Sequence, residues 1–337
     1  MTHMVGVQPE EAEARTNVDC DWLRARIRTV LLATDFLQSS HLALNYAAAF
    51  AHHFQAQLIV VHAFELGPEA QNVELVEHQI SRTRRDAEAR LQAFASGTDK
   101  FGISVTPSLV EGTVPKAILK AVSDTRADLL VLGTQGVNRG FNHLLIGSNT
   151  EALMLASSCP TLTIGPRARR EIGPDLDFTE VVCVSDFTTA SAAAALFAQA
   201  LGADLRAKVD SYQVLADAVR NDTARVEEMA NQYCNILKSL RPTIDPQSSV
   251  PEFQLSRVRS PEAMLAKSID TSALIVLGVQ PISYLGRHLH TSFAYRLLAN
   301  APCPILTGPS RVKENLGKAN KCPRDYTLDW ARSDFRI

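Results

Sequence analysis

The 337-residue chain has no apolar run that approaches the ~18 residues a membrane-crossing helix needs. It also has no excess of charge: 34 basic against 36 acidic residues give a formal net charge of -2. That balance removes the basic footprint of a nucleic-acid or acidic-membrane binder, so neither is expected as a partner. Six cysteines, Cys20, Cys159, Cys183, Cys234, Cys303 and Cys322, are scattered, with no Cys-x-x-Cys and no metal-ligand spacing. Cys159 and Cys303 each precede a proline at the head of a short apolar run, which reads as a small buried residue entering a strand. No disulfide framework is expected in a reducing compartment. The opening stretch is acidic and lacks the apolar core of a signal peptide, so residues 1–26 are expected to be a mobile arm and the protein cytoplasmic.

Several catalytic signatures are missing too. There is no Gly-x4-Gly-Lys-Ser/Thr phosphate loop, no Gly-x-Gly-x-x-Gly after the first strand, no Gly-x-Ser-x-Gly elbow and no His-Glu-x-x-His. These absences exclude the P-loop enzymes, argue against a dinucleotide oxidoreductase, and leave no catalytic residue or metal ligand to nominate.

What is present is an ordinary globular composition, 46% apolar and 21% charged, in a chain long enough for two domains of ~150 residues. Short β-branched runs alternate with longer helical ones. IRTVLLATD (27–35), QLIVVHAF (57–64), ISVTPSLVEG (103–112), DLLVLGT (128–134) and CPTLTIG (159–165) read as strands. Helices are predicted over 39–54, from about 70 to 96, over 114–125 with Pro115 in the first turn, and from about 147 to 157. Such alternation implies a parallel sheet covered on both faces.

The series then restarts after a charged segment, residues 167–178. EVVCVSDF echoes TVLLATDF, SPEAMLAKSIDTSALIVLG echoes VPKAILKAVSDTRADLLVLG, and APCPILTGP echoes SSCPTLTIGP. The offset drifts only from 151 at Asp35/Asp186 to 144 at Cys159/Cys303, which marks an internal duplication. The boundaries read from the pattern are a first domain over 27–166, a second over 179–309 and a tail over 310–337.

Glycines cluster in GTQGVNRGFNHLLIGSNTEAL, Gly133 to Leu153. Gly133 and Gly136 free the end of the fourth strand of Cβ atoms, so backbone N–H groups can approach an anion. Gly147 and Ser148 open a helix whose N–H groups and positive dipole end favour phosphate, with Ser148 and Thr150 as hydroxyl donors. The bland alternative is a wide turn followed by a glycine N-cap. Asp35 has two readings as well, a ligand contact on the sheet's carboxyl rim or a cap for the helix beginning near Ser39. His62 reads as a packed core histidine, and His52 and His53 as helix-end positions.

A strand ending in Asp, a strand ending Val-His, Leu-Gly-Thr-x-Gly, Gly-Ser before a helix, and Cys-Pro before a last strand together resemble the universal stress protein family. The resemblance covers about 27–166 and, more weakly, 179–309. It implies two tandem five-stranded parallel α/β sandwiches, Rossmann-like and related to the adenine nucleotide alpha-hydrolases. It further implies pairing through the last strand, as a homodimer or an intramolecular pseudo-dimer, and in some members binding of ATP or AMP, with Mg2+ a possible companion. By that resemblance Asp35 meets the ribose, Ala33, Thr34, Ala63 and Leu132 flank the adenine, and Asn149 offers its backbone. The pattern Gly-x2-Gly-x9-Gly-Ser/Thr is met at Gly133, Gly136, Gly147 and Ser148 with ten residues, not nine, in the long gap. In the second copy Pro281 stands for Gly136 and Thr291 for Gly147, so that half is expected to have lost the phosphate loop. The function expected is stress-response regulation through an adenine nucleotide in the first domain. The alternatives are a nucleotide-free interaction scaffold and a slow ATPase, although the Ser-Gly-Gly loop of related pyrophosphatases is lacking.

Overall fold

The computed structural model describes residues 26–65, 73–134, 147–169, 172–185, 187, 189–214, 222–240, 256–258, 265, 269–278 and 293–308. The arm expected over 1–26 and the tail over 310–337 fall almost wholly outside the described residues. In the first half β1 (Thr29–Ala33), β2 (Gln57–Phe64), β3 (Val105–Glu111), β4 (Leu129–Gly133) and β5 (Thr161–Ile164) alternate with four helices. These are α1 (Gln38–His53), α2 (Val73–Ala95), α3 (Val114–Thr125) and α4 (Ser148–Ala156). The second half supplies β6 (Glu180–Ser185), α5 (Thr189–Leu205), β7 (Lys208–Val214), α6 (Thr223–Leu240) and β8 (Ser256–Val258). It ends with β9 (Ala273–Leu277), α7 (Phe293–Asn300) and β10 (Ile305–Thr307).

The described strands form one ten-stranded sheet in the order β3-β2-β1-β4-β5-β10-β9-β6-β7-β8. Each half therefore has its first strand beside its fourth, with the second and third strands to one side. The strands are parallel within each half, and the halves meet where β10 runs antiparallel to β5, with Leu306 opposite Leu162 and Thr307 opposite Thr161. Parallel strands covered on both faces are apolar on both sides, and β1, β4 and β9 are accordingly unbroken runs such as LLVLG and ALIVL.

Two apolar layers cover the faces, and each spans both halves. One holds α1, α5 and α6, while α3, α4 and α7 contribute to the other. In the first layer α1 and α5 are rich in alanine (Ala47, Ala48, Ala51; Ala192 to Ala195), which permits close approach to the sheet. The segment between the halves belongs to this layer: Ala168, Ile172, Leu176 and Phe178 are buried. Phe178 meets Phe50 at 6.2 Å, and the Tyr46 hydroxyl donates to the Arg169 carbonyl at 3.0 Å. The described part of the segment that reads as a charged linker, 167–169 and 172–178, thus contributes four apolar side chains to that layer.

The duplication is visible in backbone detail. The residue after each first strand's aspartate is a phenylalanine in the left-handed region, Phe36 (φ 63) and Phe187 (φ 64). Each donates its N–H to a hydroxyl two residues back, Thr34 Oγ1 at 3.0 Å and Ser185 Oγ at 3.2 Å. α1 and α5 both end on a non-glycine residue in the same region, Gln55 (φ 52) and Arg206 (φ 53), as does α3 at Arg126 (φ 51). The following N–H returns five residues, Ala56 to Ala51 O and Ala207 to Gly202 O, satisfying terminal carbonyls. No described helix is long and apolar enough to cross a membrane.

Candidate functional site

Strand order places the topological switch between β1 and β4, because α1 leaves β1 over one face and α4 leaves β4 over the other. Open α/β sheets hold ligands in the crevice at the carboxyl ends of such a strand pair. Ala33 and Leu132 are register partners there, and Ala33 is also opposite Val61. Side chains alternate along strands, so Ala33, Ala63 and Leu132 share the face that α3 and α4 cover. Thr34 belongs to the opposite face and is taken up by the turn, its hydroxyl bound by the Phe36 N–H and its carbonyl by His62 Nδ1–H at 2.8 Å.

Asp35 stands exposed at the tip of β1. Its Oδ1 accepts the Leu37 N–H at 2.9 Å and the Ser40 hydroxyl at 2.7 Å, which ties it to the entry of α1. Phe36 is packed by His62 (4.3 Å) and Phe94 (5.7 Å), with the Arg90 guanidinium 4.8 Å over its ring. Leu37, 49% exposed, lies next to it on the same rim. His62 is half-buried and is engaged by the turn through Nδ1 and by Phe36 through its ring, as its position in an apolar strand predicts. His52, at the other end of α1, bonds the Phe101 carbonyl through Nδ1 at 2.8 Å.

The two described glycines of the loop differ in kind. A Cβ on Gly133 would lie 2.6 Å from the Ser39 carbonyl carbon and oxygen, so β4 ends in backbone contact with the first turn of α1. Gly278, its counterpart after β9, would meet the Ala190 carbonyl at 2.4 Å. Glycine at these two places is a packing requirement of the fold, a reason for Gly133 that the sequence pattern did not disclose. Gly147 is another matter. It is the N-cap of α4 with φ -61 and ψ 144, a conformation open to any residue, and among the described residues a Cβ there would have only Thr150 Oγ1 nearby, at 3.9 Å.

Ser148 and Asn149 are exposed in the first turn of α4, and Thr150 is half-buried. The first N–H groups of any helix have no acceptor within it, so this turn is a donor surface. Gly136 and the spacing 137–146 lie outside the described residues, as do Asp186, Pro281, Thr291 and Ser292 of the second copy. Among the described residues no group of three or more His, Cys, Asp and Glu side chains could hold a metal ion. Thiol chemistry finds no support at the three buried cysteines: burial pushes Cys159 up to about 11, and Cys183 and Cys303 up to about 12.

Comparison with known proteins agrees with this geometry. The model of the Universal stress protein family matches residues 26–165. A universal stress protein encoded in the QAH/OAS sulfhydrylase 3′ region of Thermus aquaticus is 32% identical over 139 residues, 41% of this chain and 98% of that protein. The crystal structure of a universal stress protein from Archaeoglobus fulgidus aligns over 84% of this chain and 98% of its own, with a TM-score of 0.61 and 20% identity, a likeness of fold across both halves. A universal stress protein solved in complex with cAMP aligns over 41% of this chain and 97% of its own, at 22% identity and a TM-score of 0.33. Since the first half contains almost the entire length of a relative 32% identical to it, this chain belongs to the universal stress protein family.

Proposed function

We propose that the first half binds an adenine nucleotide, ATP or AMP, as a regulatory ligand in a stress response. The reading places phosphates on the first turn of α4 and the base against Ala33, Ala63 and Leu132. The observation that carries it is Gly147. Neither its backbone angles nor its neighbours among the described residues require glycine, and Ser, Asn or Asp would cap α4 better. A glycine there keeps the donor surface open to a phosphate that a Cβ would crowd. Ser148, Asn149 and Thr150 belong to the same turn, and Gly136, three residues after β4 in sequence, is the further glycine this reading assigns to the phosphates. Mg2+, where used, arrives with the phosphates. The second half, with Pro281 and Thr291 in place of loop glycines, acts in pairing, and the protein works in the cytoplasm.

Mass spectrometry of small molecules released from freshly purified, denatured protein tests this reading. Thermal melts with added ATP test it again, because a ligand of the folded state stabilises by RT ln(1 + [L]/Kd). No released nucleotide together with no shift at millimolar ATP sinks it. A specific observation favours one second reading, a nucleotide-free scaffold: the β5–β10 pairing and the shared apolar layers support a permanent internal pseudo-dimer. Slow ATP hydrolysis is a third, checked by phosphate release that Asp35→Ala abolishes.

A further inference from the structure

We draw no further inference here: the strongest candidate, the pair of side-chain hydroxyls of Thr161 and Thr163 at the β5–β10 seam, which have no hydrogen-bond partner among the described residues, carries nothing because both are buried within the sheet and nothing in the structure shows what would meet them.

Discussion

Replacing Gly133 by alanine puts a methyl carbon 2.6 Å from the carbonyl carbon and oxygen of Ser39 and 3.0 Å from the Ser40 nitrogen. Carbon contacts are comfortable only near ~3.5 Å, so the end of β4 and the first turn of α1 must part by about 0.9 Å. Both sides of the contact are backbone, held by the β1–β4 register and by the Asp35–Ser40 bonds, so no flexible side chain can yield. Overpacking of this sort costs roughly 1–3 kcal/mol, and ~2 kcal/mol lowers the midpoint of a domain of this size by about 4–8 °C. Alanine at Gly147 meets nothing among the described residues closer than 3.9 Å and is expected to leave the ligand-free midpoint within about 2 °C, the cost of a poorer N-cap. Thermal unfolding of the two variants without nucleotide makes the comparison, and Gly278→Ala serves as a third member with its 2.4 Å contact to Ala190. If Gly133→Ala and Gly278→Ala melt like the wild type, the close strand-to-helix approach in both halves is wrong. If Gly147→Ala melts as low as they do, Gly147 has a packing role and the argument for a phosphate there fails.

Glu180 heads β6 and its carboxyl is pushed up to about 7 from 4.5, by burial first and then by its hydrogen bond to Asp210 and the charge of that residue. The fold therefore favours the protonated form. The stability this gives is full below about 4.5 and is lost as pH rises through about 7, so Glu180→Gln should flatten the fall in melting temperature between about pH 5 and pH 8. An equal fall in wild type and variant would refute it. Gln55 and Arg206 are exposed residues in the left-handed region at helix ends, so Gln55→Gly and Arg206→Gly should each add about 0.5–1 kcal/mol in urea unfolding; a loss of stability would show that those side chains make contacts of value. Phe178 is buried between the halves, so Phe178→Ala should cost about 3–5 kcal/mol. The wild type should unfold in one transition because both apolar layers span the halves, and two separate transitions in the wild type would contradict the shared core.

Much of this fold was legible because its signals are local. Apolar strands such as LLVLG, Pro115 at the start of α3 and the paired echoes around Asp35 and Asp186 each need only a short window of sequence. Three things were not legible. The packing role of Gly133 depends on a helix that begins more than ninety residues earlier in the chain, so the backbone contact that requires glycine there could not be read from its own loop. Ser40 was read only as part of a helix, because the bond that gives it meaning turns on side-chain direction within a tight turn. The packing of residues 167–178 was hidden by their charges and by Pro174, although Ile172, Leu176 and Phe178 recur at the spacing of a segment with one face inward. Repetition was the missed clue: Phe36 with Phe187, and Ser40 with Ser191, recur at the same offset of 151, as a structural turn would require.

The antiparallel seam between β5 and β10 joins two unlike surfaces of a single chain. When identical subunits pair about a twofold axis, every substitution is imposed on both sides at once, and a change that helps one crevice must be tolerated by the other. Here no symmetry operator relates the halves. Each seam residue has its own codon, so Thr163 can face Ile305 without Ile305 having to face another Ile305. The two rims are likewise free to drift apart in sequence, glycine-rich on one side and bearing proline on the other, while their ratio stays fixed at one to one.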